Sequence, residues 1–131
     1  MSLATTVLDP GGLRAVDDGF ELEIHLNWYR SLPVSSVATV ELTVAGERIP
    51  QDEITFAVNG TESALDELGE RWDEQWFVLD PATLHVRRSL VRPGEAVDVR
   101  VKLGNRVPYL IIGPDRPLEI VSERSARLVA R

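Results

Sequence analysis

Cysteine is absent from this chain of 131 residues, which excludes a disulfide framework, a thiol nucleophile and cysteine-ligated zinc or iron–sulfur sites. Lysine is nearly absent, with Lys102 standing against 13 arginines. Positive charge is in deficit overall: 14 bases face 21 acids, a net charge of −7. A domain this acidic repels phosphate backbones and anionic lipid, so neither nucleic acid nor a membrane surface is an expected partner. No apolar run approaches the ~18 residues of a membrane span. The opening Met1–Asp9 has no basic stretch and no long apolar core, so a signal peptide is not expected and the expected location is cytoplasmic.

What is present reads as one globular domain, residues 1–131, with 44% hydrophobic and 27% charged residues. A chain of this size can bury roughly two-thirds of its unfolded surface, enough for a single core without staples. Eight prolines and nine glycines imply many turns between short elements.

The clearest pattern is Phe20, Leu22, Ile24, Leu26 and Trp28 alternating with Glu21, Glu23, His25, Asn27 and Tyr29. Period-two alternation predicts a strand with one buried and one wet face. The proline of Arg30-Ser31-Leu32-Pro33 closes it. Val40, Leu42 and Val44 repeat the theme, and Gly46 turns the chain toward Arg48-Ile49-Pro50. Ile54–Val58 is a third strand, ended by the turn dipeptide Asn59-Gly60. Further strands are predicted at 76–79, 83–87, 97–103, 107–112 (Pro108 implying an edge) and 118–121, ahead of an arginine-bearing tail. Ala64, Leu65, Leu68 and Trp72 recur at helical spacing, so Thr61–Trp72 is expected as one short helix, capped by Thr61 or Ser63. These elements predict an all-β fold, an antiparallel β-sandwich or jelly roll with one short helix.

Candidate chemistry is sparse. Glu23 and His25 share a strand face, and with His85 opposite would begin a metal site, but a site needs three or four converging ligands and strand spacing alone describes exposed residues. No serine stands in a nucleophile-elbow context, and Gly11-Gly12 leads into no phosphate-binding helix. Residues 62–74 carry six acids and one base, which on spacing is a solvated face. The aromatics say more. Trp28-Tyr29 cannot both enter one core, and Trp72-Asp73-Glu74-Gln75-Trp76 mixes large rings with acids. Trp, Tyr and Arg are favoured anchors of interfaces and sugar sites.

Three stretches in order resemble a known family: Gly19–Ile24 running on to Trp28-Tyr29-Arg30-Ser31-Leu32-Pro33; Phe56–Gly60 with Leu65–Leu68 and Trp72 through Leu84; and Val101–Gly104 followed by Arg106-Val107-Pro108-Tyr109. Together, over about residues 19–112, they resemble the beta (small) subunit of bacterial C-glycoside deglycosidases, leaving 1–18 and 113–131 as terminal extensions. The resemblance implies a hetero-oligomer with a TIM-barrel alpha subunit. That complex is a lyase of carbohydrate metabolism, which cleaves the sugar–aglycone C–C bond of 3-keto C-glycosides by elimination. A divalent, manganese-like metal and the base are implied to belong to the alpha subunit, with no metal and no catalytic residue on this chain. The small subunit would stabilise and cap the barrel, with Tyr29, Arg30, Trp72, Trp76 and Tyr109 expected at the subunit interface and the substrate at or near it. Two other readings stand beside it: a stand-alone carbohydrate-binding sandwich, and a pure assembly module.

Overall fold

Strand alternation builds two facing antiparallel sheets in the computed structural model, which describes residues 7–27, 30–113 and 116–131, and only the backbone of 9–10, 108–113 and 116–117. The strands among the described residues are β1 (Leu8–Val16), β2 (Gly19–Ile24), β3 (Leu32–Pro33), β4 (Val37–Val44), β5 (Glu47–Arg48), β6 (Ile54–Val58), β7 (Thr61–Ala64), β8 (Gln75–Trp76), β9 (Ala82–Val86), β10 (Ala96–Gly113) and β11 (Arg116–Val129). One sheet runs β1-β2-β9-β6-β7, the other β11-β10-β4-β5, and β3 with β8 forms a two-stranded ribbon. The all-β sandwich expected from the alternation is thus the observed fold.

The core is the set of inward residues of both sheets. Leu22, Leu84 and Phe56 stand in one row across β2, β9 and β6, and Phe20, Val86 and Ile54 in the next. All six are essentially enclosed. Opposite them, Val99–Val44, Val101–Leu42 and Leu103–Val40 pair across β10 and β4. Burying a side chain of this size stabilises by about 1.5–3 kcal/mol, so these rows hold the layers together. Along one side the sandwich is closed: β1 runs beside β11, and Arg131 exchanges backbone hydrogen bonds with Leu13 and Ala15 at 3.0 Å. The terminal stretches 1–18 and 113–131, outside the resemblance, therefore supply an edge strand to each sheet. What reads as a short strand and a tail is one strand of 14 residues, because β10 offers it a continuous ladder from Ala96 onward.

The expected helix is corrected. Thr61–Ala64 is a strand, followed by a 3₁₀ helix Leu65–Glu70. Asn59 and Gly60 take φ of 56° and 79°, the left-handed pair of a two-residue hairpin turn, which feeds a returning strand rather than a helix. Glu67 then accepts the Ala64 N–H at 2.9 Å and caps the short turn. Ala45-Gly46, at φ 53° and 80°, makes the same turn between β4 and β5.

Beyond Ile24 the chain leaves β9 and turns inward, so Asn27 is buried and not on the wet face its phase predicts. Its Nδ2 donates to the carbonyls of Leu103 (2.9 Å) and Ile120 (3.1 Å) and to Ser122 Oγ (3.3 Å). Its Oδ1 accepts from Asn105 Nδ2 at 2.8 Å. Ser36 Oγ joins the cluster, 2.7 Å from the Pro33 carbonyl and 3.4 Å from Asn105 Oδ1. β4 leaves β10 at Val37 opposite Asn105, so past this point β10 and β11 continue as a two-stranded extension. There Pro108 lacks a β4 neighbour, as its expected edge position requires. Asn27→Leu should cost about 2–3 kcal/mol, since Asn105 and two carbonyls lose their partners inside the core. Urea unfolding with an unchanged m-value would show it.

Candidate partner-docking surface

The interface candidates from the sequence fall on three segments, two of which the fold sews together. β3 pairs β8 through Leu32 opposite Trp76. Val34 N–H donates to the Glu74 carbonyl at 2.8 Å, and Val78 N–H to Ser31 Oγ at 2.9 Å. Exposed Arg30 therefore enters the same ribbon as the 72–80 segment. Tyr29 lies outside the described residues. Tyr109 is on the β10 extension, and its side chain lies outside the described set.

Trp76 is corrected from surface to core. It is fully enclosed, stacks edge-on against Phe56 with centroids 5.4 Å apart at 79°, and donates its indole N–H to the Asp80 carbonyl at 2.8 Å. An indole that fills the end of the core and satisfies its one donor has no surface left for a partner. Trp72 is the reverse, 73% exposed. It is joined in water by Phe77 at 51% and Leu79 at 88%. Neither of these was among the candidates: the strand expected over 76–79 stops at Trp76, and a turn closed by the Asp80 N–H on the Phe77 carbonyl at 2.9 Å leaves both side chains outside the core.

A buried arginine holds this apolar segment still. Arg71 grips Glu74 with two hydrogen bonds, Nε to Oε2 at 2.7 Å and the terminal nitrogen to Oε1 at 2.9 Å. Its remaining donors reach the Val58 carbonyl (3.1 Å), the Thr61 carbonyl (3.3 Å) and Ser63 Oγ (3.1 Å) on the β6–β7 hairpin. This paired geometry raises the guanidinium's pKa and lowers that of Glu74, the hydrogen bond between them being the largest cause in each. Asn59 Nδ2 adds a bond to the Gln75 carbonyl at 2.7 Å. Arg71 is the only base of residues 62–74, so Asp66, Glu70 and Asp73 are left exposed without a basic neighbour in that stretch, with Asp80, also exposed, just beyond. Among the described residues none of these four makes an ion pair.

The histidines do not meet as a metal site. His85 stands opposite Glu21 on β2 and Thr55 on β6. Its Nε2 lies 2.9 Å from Asp18 and its Nδ1 3.2 Å from Glu62, and Glu62 also accepts from Thr55. The carboxylates occupy opposite nitrogens of one ring, so the three cannot converge on an ion. No group of three or more metal-ligating side chains converges among the described residues, and a manganese-like metal does not fit here. Burial pulls His85 down, but the hydrogen bonds to Asp18 and Glu62 and their charges outweigh it and leave the imidazole above its ordinary value. Asp18 is lowered chiefly by its bond to His85, and Glu62 by its bond to Thr55 and then by His85. This ladder ties the β1–β2 turn to β9 and β7.

A sandwich that encloses its own core yet holds apolar rings in water on a braced segment has the surface of a protein that assembles with another chain. The comparisons with known proteins give that class a family. The sequence model of the C-glycoside deglycosidase beta subunit matches residues 3–109. A C-glycoside deglycosidase beta subunit of Microbacterium trichothecenolyticum is 33% identical over 95% of this chain and 94% of its own. One of Arthrobacter globiformis is 33% identical over 88% and 89%. A 3'-dehydrocarminate deglycosidase beta subunit of a Microbacterium species is 36% identical over 88% and 86%. This chain belongs to the C-glycoside deglycosidase beta subunit family, and the name implies a partner subunit. The match starts at residue 3, well before the stretch near residue 19 where the resemblance begins. No helix among the described residues is long and apolar enough to cross a membrane.

Two consequences are measurable. Arg71→Ala should destabilise by about 2 kcal/mol, because its packing and charge-assisted bonds are lost and the Val58 and Thr61 carbonyls lose their donor; chemical denaturation reads this directly. For His85 the folded pKa is raised, so its stabilisation is whole below the ordinary value near pH ~6.5 and is lost as pH climbs through the folded value. The thermal advantage of wild type over His85→Gln should therefore be largest below pH ~6.5 and shrink as pH rises above it through the raised folded value.

Proposed function

We propose that this chain is the non-catalytic beta subunit of a metal-dependent C-glycoside deglycosidase, and that it stabilises and caps a TIM-barrel alpha subunit. The observation that carries this reading is the end-to-end likeness to a named beta subunit, 33% identity over 95% of the chain. The substrate class is a 3-keto C-glycoside, whose ketone acidifies the neighbouring C2–H, so that a base on the partner can start elimination of the aglycone from C1. The relative named for 3'-dehydrocarminate, a substrate oxidised at the same sugar position, supports this class. The divalent, manganese-like ion belongs to the partner in this reading.

His85 supports the division of labour, since both its ring nitrogens are engaged by carboxylates and neither is open to abstract a proton. The chain's contribution is to assembly: Tyr29, Arg30, Trp72 and Tyr109 are its interface residues in this reading, and Trp76 anchors the segment that carries Trp72 to the core. A barrel's active site opens at one loop-built end, which a docked sandwich closes against water. The complex is cytoplasmic in this reading, and its substrate sits at or near the subunit boundary.

Co-expression with a barrel-type alpha subunit from the same genome tests the proposal. A mixed complex should elute as one species on size exclusion, and that complex, with manganese present, should cleave a 3-keto C-glycoside where neither chain alone does. A sandwich eluting apart from a folded barrel would sink the reading. Quenching of the exposed Trp72 by free sugar would then favour a stand-alone carbohydrate-binding module.

A further inference from the structure

We infer that Trp72, Phe77 and Leu79 form the contact through which the partner subunit is held, and that they enter an apolar recess on that subunit rimmed by arginine or lysine. This rests on the beta-subunit reading and specifies its surface, including two residues that sequence reasoning did not reach. Three features carry it.

The first is cost. Phe77 and Leu79 at 51% and 88% exposure are apolar side chains on the turn that leaves β8, where the Asp80 N–H bonds back to the Phe77 carbonyl at 2.9 Å. Their exposure gains the isolated chain nothing, and with Trp72 they put three exposed apolar side chains on one short segment. The second is rigidity. Trp76 inside, Arg71 with Glu74 beneath, and the bonds from Asn59, Val34 and Val78 fix the segment's backbone at many points. A surface fixed in this way loses little conformational entropy on binding. A loop left free to collapse would instead fold its rings back onto the sandwich.

The third is charge, which selects the occupant. Glu70 and Asp73 flank Trp72 in the chain and Asp80 follows Leu79, all exposed and without an ion pair among the described residues, while Arg71 is turned to Glu74 and the β6–β7 hairpin. A second copy of this chain would bring the same acid rim against itself, and like charges across an interface oppose association. A recess of a different chain, apolar in its floor and cationic at its rim, matches both halves of the patch.

The test uses the co-expressed complex and the full chain. Trp72→Ala should weaken association at least ~30-fold, the equivalent of a hot spot of about 2 kcal/mol. Leu79→Ser should weaken it by roughly tenfold. Both side chains are outside the core, so the variants should keep the wild-type thermal midpoint. Raising salt from about 50 mM to about 500 mM should weaken the wild-type complex, and the triple variant Glu70→Gln, Asp73→Asn, Asp80→Asn should bind more weakly and lose most of that salt response. If the complex forms and both apolar variants bind as wild type does, the inference is overturned while the beta-subunit reading stands. Self-association of the lone chain that Leu79→Ser abolishes would overturn it too, since a second copy would be the occupant. Failure of the wild-type chain to form any complex would overturn the beta-subunit reading and this inference with it.

Discussion

Enclosing Trp76 against Phe56 decides what the rest of the functional end looks like. In an extended segment, neighbours point opposite ways, so a chain that drives this indole into the core must turn Gln75 and Phe77 outward. The outward residues then become the face available to another molecule. The buried Trp76 and the exposed Phe77 are two sides of one choice of strand phase, and the turns that flank β8 leave Trp72 and Leu79 outside as well.

Around that choice the protein spends its buried polar groups on position. Arg71 and Glu74 are a paired charge with additional hydrogen bonds, the condition under which a buried ion pair is tolerated. They tie an irregular segment to a hairpin that sequence places before it. The Asn27–Asn105–Ser36 cluster does the same at the root of the β10 extension, where an apolar replacement would leave backbone carbonyls unsatisfied. Both networks attach irregular chain to regular strands, and both lie under segments read as facing the partner.

Much of this was legible in the sequence. Alternation from Phe20 to Ile24, Val40 to Val44 and Val97 to Leu103 marked the inward rows, and two-residue turns marked the hairpins. The helix over Thr61–Trp72 was misread because Ala64, Leu65, Leu68 and Trp72 satisfy helical spacing by coincidence. The left-handed Asn59-Gly60 pair, a local feature, outweighed that periodicity by returning the chain to the sheet. Asn27 obeyed the wet phase in sequence and broke it in space, since the strand ends before it. The charge ladder of His85 could not be found by spacing, because Asp18 lies 67 positions away and Glu62 lies 23.

The sequence alone determined the fold class, the acidic character and the family, since these rest on composition, short-range periodicity and ordered motifs, all of which are local. Which aromatic is core and which is surface was decided only in three dimensions. Trp72 and Trp76 are four residues apart in similar acidic company, and nothing local separates them. The pairing of β8 with β3 and the space beside Phe56 do, because burial depends on what distant strands leave unfilled.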